Sequence, residues 1–129
     1  MPSTSPQEFS ERLTGRFPHV PTGGQERLIE AFSRFLFSDK PKCTLIVKGY
    51  AGTGKTTSIG AIVRTLMEVR RTFVMLAPTG RAAKVMAAYS GVTAHTIHRC
   101  IYRAKTHKSC DRKFRIYRNP RRITWKRVV

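Results

Sequence analysis

Apolar residues recur at helical spacing between Thr22 and Phe37, where Leu28, Phe32, Phe35 and Leu36 form one stripe and Ile29 widens it. This predicts a first helix, stopped by Asp39-Lys40-Pro41. The pattern then changes: Cys43-Thr44-Leu45-Ile46-Val47 is a continuous β-branched apolar run, as in a strand covered on both faces. A glycine-rich loop follows, then a second helical stripe from Lys55 to about Arg70 with Ile59, Ile62, Val63, Leu66 and Met67 on one face. Thr72 to Ala77 is another buried-strand run, ended by Pro78-Thr79-Gly80, and Arg81 to Ser90 reads as a short helix closed by Gly91. Two strands joined by a helix make a βαβ unit, which predicts a parallel pair and a right-handed crossover. Thr93 is placed to cap a further helix through Ile97, Cys100 and Ile101. Phe114 to Arg118 alternates weakly, as an edge strand that Pro120 would end. The Pro/Ser-rich start predicts a flexible leading segment over 1–17, and no internal repeat is present.

Composition narrows the class. The 129 residues amount to one domain's worth of chain, too short for a complete motor. Twenty-five Lys and Arg against seven Asp and Glu give a net charge of +18, with 40% apolar residues, too hydrophobic for a disordered basic tail. A folded protein that binds a polyanion is expected. The charge is uneven: residues 1–98 carry a net +7, and residues 99–129 a net +11. That last stretch is dense enough to attract phosphate backbones by counterion release, although a solvated basic tail explains it as well. No apolar run approaches the roughly 18 residues of a membrane span, and the first residues lack the order of a signal peptide, so a cytoplasmic location is expected. Cys43, Cys100 and Cys110 are odd in number and form no Cys-x-x-Cys pair, which predicts reduced thiols. His98, Cys100, His107 and Cys110 lie near one another, but their spacing does not match the common zinc arrangements.

Gly49-Tyr50-Ala51-Gly52-Thr53-Gly54-Lys55-Thr56 fits G-x-x-x-x-G-K-[ST], after a predicted strand and before a predicted helix. The chemistry explains the spacing. Glycines let consecutive backbone N–H groups turn inward around phosphate oxygens. Lys55 then offers a point charge to the β- and γ-phosphates, and Thr56 a hydroxyl to Mg²⁺ at the positive end of the helix. The phosphate-binding set of this loop is Gly49, Gly52, Thr53, Gly54, Lys55, Thr56 and Thr57, with Lys55 and Thr56 the residues closest to chemistry.

Three further segments narrow the choice: Thr22-Gly23-Gly24-Gln25 upstream of the loop, Ala77-Pro78-Thr79-Gly80-Arg81-Ala82-Ala83-Lys84 after the second strand, and Thr93-Ala94-His95-Thr96-Ile97-His98 beyond the next helix. In this order around the phosphate loop they resemble the first motifs of RecD-like DNA helicases of superfamily 1. The resemblance covers roughly residues 18–118. It implies an α/β fold, an incomplete RecA-like P-loop NTPase domain with a parallel sheet flanked by helices, using ATP and Mg²⁺. By that likeness Gln25 reads the adenine ring, but Thr22 and Gln25 also have the spacing of a capping box. Pro78, Thr79 and Arg81 resemble the motif on the backbone of single-stranded DNA, and a helix amino terminus there suits a phosphate; an ordinary strand-to-helix turn is the alternative. Thr96 and His98 resemble the next motif along the same strand, against the reading of a surface histidine. Family members travel 5′ to 3′, which is implied by kinship alone.

Hydrolysis at such a site requires an acidic residue at the end of a further strand. After His98 the only acid is Asp111, which no apolar strand precedes, so it does not resemble the Walker B carboxylate. The expectation is a chain cut off before that motif, binding ATP without turning it over and needing the rest of the helicase. The basic stretch 119–129 would then be a non-native continuation, as after a frameshift, and the other two reading frames beyond the codon for Asn119 should encode an apolar strand followed by Asp-Glu. The strands at 43–47 and 72–77 also expect neighbours at both edges, which predicts marginal stability unless a partner completes the sheet. Two other functions remain open. A small P-loop phosphotransferase is opposed by the missing acidic metal site. A basic nucleic-acid-binding module is favoured by the +18 charge and by Tyr102, Tyr117 and Trp125 among arginines.

Overall fold

The computed structural model describes residues 4–40, 43–104 and 116–118, and for the side chains those of 4–40 and 43–100. In chain order the elements are α1 (Pro6–Gly15), α2 (Gly23–Leu36), α3 (Lys55–Glu68), β1 (Met75–Ala77), α4 (Gly80–Ser90), β2 (Ala94–Thr96), α5 (Ile97–Ile101), β3 (Tyr102–Ala104) and β4 (Ile116–Arg118). β1 pairs in parallel with β2, and β3 pairs antiparallel with β4.

The first 17 residues, expected to be flexible, instead contain helix α1. Ser5 caps it by accepting from Glu8 N–H at 3.1 Å, Pro6 stands at its first position, and Glu8 complements the dipole. Phe9 and Leu13, four apart, are completely buried and join Phe17, Ile29, Phe32, Phe35 and Leu36 in the core. Phe9 stacks on Phe32 at 6.1 Å and meets Phe37 edge-on at 5.9 Å. Each such side chain contributes roughly 1.5–3 kcal/mol by leaving water, enough to hold a helix too short to be stable alone. The Pro/Ser-rich opening hid this, because two apolar residues make a thin stripe.

Helix α2 matches its expected stripe, with Ile29, Phe32, Phe35 and Leu36 buried. In α3, Ile62, Val63 and Leu66 are buried as expected, but Ile59 and Met67 are exposed. The buried face is centred on Ser58, Ala61, Ile62, Thr65 and Leu66, so 59 and 67 fall on its margins. The buried hydroxyls of Ser33 and Thr65 donate to the carbonyls four residues back, at 2.8 Å each, which offsets the cost of taking them out of water. α3 ends in two nested bonds: Arg71 N–H donates to Leu66 O at 2.9 Å and Arg70 N–H to Met67 O at 3.1 Å. This closure puts Arg70 at φ 55°, in the left-handed region that favours glycine.

The strand expected at 43–47 is not formed. Cys43 and Leu45 pack against the core, but among the described residues no strand pairs with the segment. The expected parallel pair of 43–47 with 72–77 is therefore replaced by β1 with β2, in the register Met75↔Ala94, Leu76↔His95 and Ala77↔Thr96. The βαβ order survives one unit later, with α4 as the crossover. Thr93 does not cap a helix, because Ala94–Thr96 is strand and Thr96 takes that role. The expected edge strand at 114–118 is present as β4 over Ile116–Arg118.

Candidate functional site

The loop 49–54 is shaped by its glycines. Gly52 and Gly54 both lie at φ 79°, where a side chain would be strained. A Cβ on Gly49 would come within 2.8 Å of Thr53 Oγ1 and 3.3 Å of Lys55 Cδ, so a side chain here would push the Thr53 hydroxyl from its bond to Tyr50 O. Thr53 closes the turn: its hydroxyl donates to Tyr50 O at 2.7 Å and its N–H to the same oxygen at 3.4 Å. The Lys55 ammonium donates to Gly49 O, folding back across the loop.

The start of α3 differs from the other long helices. Ser5, Thr22 and Thr79 cap α1, α2 and α4 with side-chain oxygens, whereas Gly54 caps α3 with none. The first turn of α3 also lacks an acidic residue, unlike α1 and α2. Its leading N–H groups, on Lys55, Thr56 and Thr57, belong to the set that no helix satisfies internally, and the positive dipole end stands beside a lysine. That is a receptor for a phosphate. Thr56 is exposed in this first turn and Thr57 half-buried, so the Thr56 hydroxyl is the one placed to reach a cation on the phosphates.

Gln25 sits against this loop. Its Oε1 accepts from Thr22 N–H at 3.0 Å while its own N–H donates to Thr22 Oγ1 at 3.4 Å, a complete capping box. Its Nε2 lies 2.7 Å from where a Cβ on Gly54 would stand. The start of α2 and the start of α3 therefore touch, with Gln25 only 5% exposed between them. Both border a cavity of about 940 Å³ whose walls also include His19, Tyr50, Leu45 and Met75. Among the described residues, no Asp or Glu lines this cavity. His19 and Tyr50 carried no signal as site residues in the sequence, since neither occupies a specified position of a motif.

At the opposite end of α3, Glu68 is held by α1. Arg12 reaches it at 3.0 Å, and Arg16 donates through Nη2 at 2.5 Å and Nε at 3.1 Å; Arg12 also pairs with Glu8 at 2.6 Å. The last turn of α3 has no basic residue of its own, so α1 brings the cations that a helix carboxyl end favours. The hydrogen bond from Arg16 lowers the Glu68 pKa below its ordinary 4.5 against the opposing effect of desolvation, and the bond to Glu8 raises that of Arg12.

The remaining predicted residues are gathered by the parallel pair. Ala77 and Thr96 are register partners at the carboxyl ends of β1 and β2, so Pro78, Thr79 and Arg81 on one side and Thr96 and His98 on the other emerge at the same end. Ligands of open α/β sheets bind outside strand carboxyl ends. Thr79 caps α4 by accepting from Ala82 N–H at 3.1 Å, and Thr96 accepts from Arg99 N–H at 3.2 Å. Pro78, Thr79, Arg81 and His98 are exposed, and Thr96 is half-buried. Asp111, His107, Cys110 and Trp125 lie outside the described residues, as do the side chains of Tyr102 and Tyr117. Among the described residues, no three His, Cys, Asp or Glu side chains converge on a metal position, and no helix is long and apolar enough to cross a membrane.

A glycine cradle, an uncapped helix start, a lysine and a small parallel sheet define a nucleotide-binding P-loop NTPase domain in mixed helix and strand form. The family model described as "AAA domain" matches residues 22–125, and the chain belongs to that family. The match starts at the cap of α2, so α1 lies outside it. No solved structure matches the chain.

Proposed function

We propose that this chain is the ATP-binding first part of a RecD-like ATP-dependent DNA helicase, with a RecA-like lobe that holds ATP and Mg²⁺ and contacts single-stranded DNA. The observation that carries the nucleotide half is the start of α3: three leading N–H groups, no capping side chain, no carboxylate, and Lys55 alongside. Gln25, pressed against Gly54, supports a contact with the adenine from the same wall. The capping box uses Oε1, which leaves Nε2 as the donor for a base. Thr56 would hold Mg²⁺, whose other positions phosphates and water supply.

The DNA half is supported by the register that brings Pro78, Thr79, Arg81, Thr96 and His98 to one end of the sheet. The Thr79 oxygen accepts within α4, and its hydroxyl hydrogen can still donate to a phosphate. Movement from 5′ to 3′ rests on the motif resemblance, and so does the dependence on the rest of a helicase. Binding without turnover rests on the sequence, in which no strand resembling a Walker B motif follows His98.

The test is a titration of the isolated chain with Mg·ATP, with and without single-stranded DNA, against Lys55→Ala. Binding that Lys55→Ala abolishes, with no phosphate release above that control, is the expected result. Turnover well above the control overturns the non-hydrolysing reading. DNA-stimulated nucleotide binding that survives Lys55→Ala favours a basic nucleic-acid-binding module instead.

A further inference from the structure

Two side chains that line the cavity at the start of α2 each carry a polar atom with no protein partner among the described residues, and the two atoms are of opposite kind. Gln25 turns Oε1 to Thr22 N–H at 3.0 Å, so its amide presents Nε2, a donor. The other atom belongs to His19, whose Nδ1 lies 3.0 Å from Val20 O. A carbonyl only accepts, so Nδ1 carries the hydrogen, and in the neutral ring Nε2 is left as an acceptor. That bond holds the imidazole, and the Phe17 ring flanks it at 6.5 Å, tilted by 55°. His19 stands three residues before Thr22, a chain reach of at most about 11 Å, and Thr22 is bonded to Gln25. The imidazole and the amide are thus close enough to meet one purine ring, while the same cavity reaches Gly54 and Lys55.

A donor beside an acceptor selects among bases. Adenine and guanine both offer N7 as an acceptor, but at C6 adenine carries an amino donor and guanine a carbonyl acceptor. We infer that His19 is a specificity-determining residue, its Nε2 accepting from the 6-amino group of adenine while Gln25 Nε2 donates to N7. The inference rests on the reading of residues 49–56 as a nucleotide site. Guanine in the same pose sets O6 against the His19 lone pair, and a mismatched polar pair discriminates more strongly than a lost apolar contact. Gln25 with Oε1 bound to the α2 backbone reads only the N7 that both purines share, so the choice between them falls to His19.

The experiment is isothermal titration calorimetry of the full chain with Mg²⁺ at about pH 8, where an imidazole is read in its neutral form. The ligands are ATP, GTP, purine riboside triphosphate, which has no group at C6, and inorganic tripolyphosphate, which has no base. The parent chain should prefer ATP to GTP by at least about tenfold. His19→Ala should reduce that preference about tenfold and change the affinity for purine riboside triphosphate by less than about twofold. His19→Lys, which offers only donors, should turn the preference toward GTP. Gln25→Ala should weaken ATP, GTP and the purine analogue alike and keep the ratio of ATP to GTP. A histidine that merely supports the fold would weaken all four ligands together under His19→Ala; that result, or a ratio unmoved by His19→Ala, would overturn the proposal. Equal affinity for ATP, GTP and tripolyphosphate would overturn it as well while leaving the phosphate loop standing, whereas a chain that binds none of the four overturns both.

Discussion

Gly52 and Gly54 share the same backbone conformation, φ 79°, and differ in what surrounds them. An added Cβ at Gly52 meets nothing within 4 Å, whereas at Gly54 it falls 2.7 Å from Gln25 Nε2. Alanine at either site incurs the left-handed penalty of about 1–2 kcal/mol, offset by about 0.5–1 kcal/mol from the stiffer unfolded chain. These contributions cancel between the two variants. At Gly54 the Gln25 amide must also move, and because its Oε1 holds Thr22 N–H, the reciprocal half of the capping box is lost, about 1 kcal/mol more. Gly54→Ala should therefore be about 1 kcal/mol less stable than Gly52→Ala, a difference of about 0.5 M in urea midpoint at an m-value of about 2 kcal/mol/M. In a Gln25→Ala background the difference should vanish, since no amide remains to displace. Midpoints followed by far-ultraviolet circular dichroism read all four variants. Equal midpoints for Gly52→Ala and Gly54→Ala, or a difference that persists without Gln25, would refute the contact between the starts of α2 and α3.

Arg70→Gly should stabilise the chain by about 0.5–1 kcal/mol, the left-handed penalty relieved less the entropy that glycine costs; a thermal midpoint that falls would show that the arginine does more than close α3. Thr79→Ala should cost about 1 kcal/mol through the lost α4 cap. Thr79→Asp should restore the cap yet repel a phosphate, so stability recovers while affinity for single-stranded DNA, read by filter binding, falls; recovery of both would remove Thr79 from the DNA surface. The Glu68 pKa is lowered in the folded state, so its stabilisation is fully present above the ordinary 4.5 and is lost as pH falls through the lowered value. Thermal melts below pH 4.5 should accordingly decline less steeply for Glu68→Gln than for the parent chain, and parallel slopes would contradict the role of the Arg12 and Arg16 pairs.

Local chemistry was legible in the sequence. The stripe of α2, its capping box, the glycine loop and the start of α3 depend on residues within a few positions of one another, and spacing alone determined them. Tertiary structure decided whatever needed a distant partner. The run 43–47 has strand composition, but a strand is defined by bonds to a neighbour, and β1 paired with 94–96 instead. Helix α1 depends on Phe32 and Phe37 to bury Phe9 and on Glu68 to meet Arg12 and Arg16. No periodicity within residues 1–17 encodes those contacts. The placing of Gln25 against Gly54, and of Thr79 and Thr96 at one end of the sheet, likewise came from packing and register, because spacing along a chain fixes which face a residue occupies and not what that face will meet.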